Sequence, residues 1–70
     1  MRRLPVDSTS LASVGYDAGT AVLEIEFREG GVYQYYQVPA SVHRELMSAE
    51  SRGNYFTRFV RPTYRFRRMD

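Results

Sequence analysis

Cysteine, lysine and tryptophan are absent from these 70 residues, and histidine occurs once, at His43. Without cysteine there is no disulfide staple and no thiolate metal site, which suits a reducing compartment. A single histidine and no cysteine argue against a transition-metal centre, and no metal or other cofactor is expected. No apolar run approaches the roughly 20 residues needed to span a bilayer. The basic start Met1-Arg2-Arg3 is not followed by the apolar core of a signal peptide. These absences lead to the expectation of a cytoplasmic protein with no membrane contact, and the length allows one domain, 1–70.

Charge is nearly balanced, yet unevenly placed. The formal net charge is +2. Residues 1–35 carry three arginines against five acids, whereas residues 36–70 carry seven against three. Within 51–69 there are six arginines and no acid. Every cationic side chain is therefore a guanidinium, a planar fork with a stacking face. A codon bias toward arginine explains the missing lysine equally well.

The segment from Val22 to Val38 organises the chain. Leu23, Ile25 and Phe27 alternate with Glu24 and Glu26, the period of a strand with one apolar face. Gly30-Gly31 makes a hairpin turn into a second extended run, Val32 to Val38. It is no phosphate loop, because it joins two strands and lacks the following Lys-Ser or Lys-Thr. Upstream, Leu11 to Tyr16 reads as a strand, with Val14 and Tyr16 turned one way and Gly15 leaving a gap. The turn Asp17-Ala18-Gly19-Thr20 leads into the strand from Ala21 to Phe27. Arg2 to Pro5 reads as an irregular lead-in.

The expected fold class is α+β: a three-stranded antiparallel meander, one or two short helices packed on one face, and either a short C-terminal strand or an extended tail over 64–69. Leu23, Ile25 and Phe27 should face inward and the two glutamates outward. For the third strand the favoured register turns Val32, Tyr36 and Val38 inward and leaves Tyr33 and Tyr35 on the other face. The opposite register stays open, since tyrosine tolerates half burial. Pro39 suits a first helical position, and residues 39–49 present Val42, Leu46 and Ala49 as an apolar stripe widened by Met47, with His43 at its edge. Ser51 or Asn54 can cap a second helix over 54–60, with Phe56, Phe59 and Val60 inward and Arg58 and Arg61 outward. Gly53 reads as a left-handed helix C-cap whose amide can also meet a phosphate.

Chemistry-bearing patterns are few. Serines accompany His43, but no nucleophile elbow is present and the core is too small to hold a deep preorganised site. Glu24 and Glu26 share a strand face that offers no burial to separate their pKa values. The strongest pattern is arginine interleaved with aromatics from Arg52 to Arg68. Cations along a track suit phosphates, and exposed rings suit stacked bases. Candidate nucleic-acid contacts are Arg52, Arg58, Arg61 and Arg65 for phosphates and Tyr33, Tyr35 and Tyr55 for bases. Against this stands a plainer reading, in which Phe56, Phe59 and Phe66 form the core and the arginines are solvated surface between them.

The order Ser8-x-x-Leu11-x-x-Val14-Gly15-Tyr16-Asp17, Leu23-x-Ile25-x-Phe27, Gly31-x-Tyr33-x-Tyr35, Val38-Pro39 and Arg52-Gly53-x-Tyr55-Phe56-x-x-x-Val60-Arg61 with Tyr64 resembles the KTSC domain family over about residues 6–68. Tyr33-Gln34-Tyr35 matches the Tyr-x-Tyr mark of that family, and Arg52, Tyr55, Phe56 and Arg61 match its C-terminal motif. Many members have Asn where this chain has Thr57. The resemblance implies a small module that also occurs at the C-terminus of some lysyl-tRNA synthetase-related chains, and that setting suggests RNA. It brings no catalytic residue. The functional expectation is a non-enzymatic module that binds RNA or single-stranded nucleic acid. The alternative is a protein-interaction or self-assembly module, including a homodimer.

Overall fold

The computed structural model describes all 70 residues. Five antiparallel strands form one sheet: β1 (Leu4–Pro5), β2 (Leu11–Asp17), β3 (Val22–Phe27), β4 (Val32–Tyr35) and β5 (Phe66–Arg68). Their order in space is their order in sequence. Two helices, α1 (Ala40–Ser48) and α2 (Arg52–Tyr55), lie between β4 and β5, and α2 runs on into a single π turn, Phe56–Val60. The expected three-stranded meander is therefore wrong as a description of the sheet: it is only the centre of five strands. The two added strands are short edges carrying proline or arginine, the devices that keep sheet edges from pairing further and that also hide strand character from local pattern.

The supposedly irregular lead-in pairs with β2 through Leu4↔Val14 and Pro5↔Ser13. Gly15 permits this approach, since a Cβ there would lie 2.6 Å from the Arg2 carbonyl oxygen. A β-bulge between Leu11 and Ser13 lets Leu11 and Val14 both bury, although their spacing would otherwise put them on opposite faces.

Register settles the tyrosine question against the favoured assignment. Leu23 sits opposite Tyr35 and Ile25 opposite Tyr33, so both tyrosines share the core face with Leu23 and Ile25. The hairpin reaches this register through Gly30 and Gly31, at φ +117° and +92°. Val32 and Tyr36 fall on the opposite face, and the Tyr36 hydroxyl donates to Gln34 Oε1 at 3.3 Å. Gln37, at φ +57°, breaks the alternation after Tyr36, and Val38 is buried as expected.

The glutamates do point away from the core, but Glu24 is not solvated; it is only 7 % exposed. Arg3 from the N-terminal segment pairs with it, and Gln34 Nε2 donates to it at 2.8 Å. Beside it, Arg3 Nε donates to Ser13 Oγ at 3.0 Å, and Ser13 Oγ donates to Glu26 at 2.8 Å. Burial pushes the Glu24 pKa up, but the hydrogen bonds from Gln34 and Arg3 and the Arg3 charge outweigh it, leaving the carboxyl below its ordinary range.

The helices cover the other face. Leu46 of α1 is fully buried, flanked by Val42 and Met47. Pro39 is the cap residue before α1 rather than its first residue. Ser51 caps α2 by accepting from the Asn54 amide at 3.2 Å. Gly53 lies inside α2 and is no left-handed cap; a Cβ there would come within 3.0 Å of Ser10 Oγ. In the π turn the Arg61 amide reaches back to the Phe56 carbonyl at 2.9 Å. This wider winding turns each residue through a smaller angle, so side chains four apart nearly superpose and those three apart diverge. Phe56 and Val60 accordingly bury together, whereas Phe59, expected inside, is 51 % exposed. Phe66 was also expected in the core; on the edge strand β5 it is 58 % exposed.

Candidate functional site

The π turn and the β4–β5 edge of the sheet diverge near the β3–β4 hairpin and leave a cleft of about 340 Å³. Its base is Phe56 and Tyr35, whose rings meet edge to face with centroids 5.2 Å apart. Phe27 packs edge-on against both Phe56 and Tyr33, at 5.4 Å in each case. Phe66 forms a further wall, tilted against Tyr35 at 5.7 Å and Tyr33 at 5.9 Å. The register Tyr35↔Phe66 and Tyr33↔Arg68 sets these neighbours side by side. These offset and edge-on arrangements are the favourable geometries for π systems. Phe66 itself stays 58 % exposed.

Polar groups border the rings. Arg61 follows the π turn and lines the cleft, as do Ser10 and, from the hairpin, Glu29 and Gly30. The Arg68 guanidinium sits 5.7 Å over the Tyr33 ring and donates to Asp70 at 3.1 Å; Asp70 in turn accepts from the Val32 amide at 3.1 Å. Burial raises the Tyr35 pKa, and the nearby Arg61 charge opposes that rise. The arrangement can hold a planar ring and, at its rim, an anion.

The seven candidates named from sequence are only partly brought together. Tyr33, Tyr35 and Arg61 line the cleft. Tyr35 is 4 % exposed, so its ring is not a free stacking platform. Arg52 is held elsewhere: it donates to the Met47 carbonyl at 2.9 Å, tying α2 to the end of α1, and its Nε is buried without a partner. Tyr55 donates to Glu45 at 2.8 Å and packs against Phe59 at 4.9 Å. Burial, then this hydrogen bond and the Glu45 charge, push its phenol up to about 12. Arg58 is exposed, 5.5 Å over the Phe59 ring, and makes a second aromatic–basic patch outside the cleft. The Arg65 side chain is exposed at the approach to β5.

Sequence reasoning missed Phe66, Arg68 and Glu29 as lining or bordering residues. Pairing the last alternating segment alongside β4 would have placed Phe66 and Arg68 beside the tyrosines, and Glu29 was within the recognised hairpin turn. His43 lies apart from the cleft, stacked on Tyr16 at 4.8 Å, with burial lowering its pKa. No group of three or more His, Asp or Glu side chains is placed to hold a metal ion. No helix is long and apolar enough to cross a membrane.

Fold and cleft together define a small α+β domain in which a helical turn and an edge strand enclose an aromatic, arginine-rimmed recess. The KTSC domain model matches residues 7–64. The chain belongs to the KTSC domain family, as its sequence pattern implied. A solved KTSC domain protein from Yersinia pestis is 40 % identical and superposes with a TM-score of 0.96, covering 99 % of this chain and 97 % of that one. An uncharacterised protein of Stutzerimonas stutzeri is 41 % identical over the full length of both chains. The family is also found within longer chains: a lysine–tRNA ligase of Nostoc punctiforme is 33 % identical over 94 % of this chain, which corresponds to 12 % of that protein.

Proposed function

We propose that this domain is a non-enzymatic module that binds single-stranded RNA or DNA segments through the cleft between the π turn and β5. The carrying observation is the exposed ring of Phe66 beside Tyr33 in a cleft that Arg61 lines, with Arg68 lying over the Tyr33 ring. Base stacking on such rings contributes roughly 1–3 kcal/mol per base, and adjacent guanidiniums hold the flanking phosphates. Arg58 and Arg65 extend the basic surface; Arg52 and Tyr55 serve the α1–α2 joint instead. The relatives that are lysine–tRNA ligases support an RNA ligand. A cytoplasmic location belongs to the same reading.

The open edge of β5 favours self-association less. Arg67 and Arg68 lie in this short strand and Arg65 just before it, and like charges facing a second copy oppose strand pairing.

Fluorescence anisotropy with a labelled single-stranded RNA tests the proposal. Binding at low salt should weaken as salt rises. Phe66→Ala and Arg61→Gln should each lower affinity by about tenfold. Binding no tighter than millimolar at low salt, or affinities indifferent to both substitutions, would remove this function.

A further inference from the structure

Tyr35 and Glu29 both bring to the cleft a polar side-chain group that bonds nothing within the chain. The Tyr16, Tyr36 and Tyr55 hydroxyls all donate within the chain, to Val38, Gln34 and Glu45. Tyr35 is more deeply buried than any of them, yet its hydroxyl bonds nothing in the protein, while its side chain lines the cleft. Its ring is buried, but its hydroxyl is not among the buried unpartnered atoms; it reaches solvent at the cleft, where it is free to donate to a ligand. Glu29 is the only acid lining the cleft and takes part in neither ion pair of the chain. A carboxylate at the mouth of an otherwise arginine-flanked nucleic-acid site repels phosphate, so its place there needs a reason.

Building on the nucleic-acid reading, we infer that the cleft selects one unstacked guanine, with the Glu29 carboxylate accepting from guanine N1–H and N2–H and the Tyr35 hydroxyl donating to O6. Guanine is the one common base whose pairing edge presents two adjacent donors, and a carboxylate offers two adjacent acceptors. Cytosine and adenine each set a ring-nitrogen acceptor beside their amino group, and that lone pair would face the carboxylate. Uracil has a single N–H between two carbonyls. Reading the pairing edge of a splayed-out base while its face rests on an aromatic ring is the usual mode for single-stranded RNA. The volume of about 340 Å³ lies at the lower end of small-ligand sites, about 300–1,000 Å³, as suits one base. Arg61 is then left for the phosphate. Discrimination arises because a wrong base leaves Glu29 or Tyr35 desolvated and unpaired.

Anisotropy with labelled oligouridines in which one central base is uracil, guanine, adenine or cytosine tests this. The guanine probe should bind about tenfold or more tighter than the other three. Glu29→Gln, which swaps one acceptor for a donor on an exposed turn, should bring the guanine probe close to the oligouridine value without weakening the latter. Tyr35→Phe should lower guanine-probe affinity severalfold while leaving the melting temperature in place, which separates a binding role from a structural one. Equal affinity for all four probes, or a guanine preference that survives Glu29→Gln, overturns the inference while the nucleic-acid reading stands. Failure of every probe to bind overturns both.

Discussion

Phe56 and Phe59 differ by three positions, and both fit one apolar helical stripe by spacing, but the π turn gives them opposite fates. Phe56 is 3 % exposed and packs edge-on against Phe27 and Tyr35, so its removal empties the middle of the small core. Phe-to-Ala changes at such sites cost about 3–5 kcal/mol. A chain of this length has roughly 4–10 kcal/mol of stability in all. Phe56→Ala should therefore consume much of it and lower the melting temperature by about 12 °C or more, at about 4–8 °C per kcal/mol for domains of this size. Phe59→Ala removes a half-exposed ring that touches Tyr55 and Arg58, and should cost about 1 kcal/mol or less. Thermal unfolding by circular dichroism, with urea midpoints as a second measure, reads the difference. A volume-conserving Phe56→Leu should fall between the two, separating lost packing from general damage. If Phe56→Ala and Phe59→Ala melt together, the π-turn geometry is wrong and an ordinary α-helical stripe is the better description.

Gly15→Ala should destabilise by about 1–3 kcal/mol, because the new methyl meets Arg2 backbone rather than a yielding side chain; unchanged urea unfolding would deny the β1–β2 approach. Ser51→Ala, which removes the α2 cap, should cost about 1 kcal/mol, measured the same way, and an effect no larger than that of a random surface serine would argue against the cap. Stability should fall in two stages on acidification. His43 has a folded pKa below its ordinary 6.5, so its contribution is present above 6.5 and is lost as pH falls toward the folded value. Glu24 has a folded pKa below its ordinary 4.5, so its contribution is present above 4.5 and is lost as pH falls through the lower folded value. Urea midpoints across pH, compared with Glu24→Gln and His43→Gln, check both stages, and superimposable pH profiles would refute the corresponding assignment.

Strands β2 to β4 and helix α1 were legible in residue order because each carries its own signal. The alternation through Leu23, Ile25 and Phe27, the paired glycines at 30 and 31, and the stripe through Val42 and Leu46 are all patterns of near neighbours. The family resemblance was legible for the same reason, since it rests on the order and spacing of short motifs. Folding had to supply everything that depends on residues far apart. Val22–Phe27 could pair with either register of the tyrosine strand by pattern alone, and the hairpin geometry chose the one that buries Tyr35. Leu4–Pro5 is too short to announce itself, and the alternation over 64–69 left a strand and an extended tail both open; each segment becomes a strand because β2 and β4 offer open edges. Glu24 looked solvated until Arg3 was laid across it. The cleft itself unites a hairpin, an edge strand and a helical turn, so no single stretch of the chain contains it.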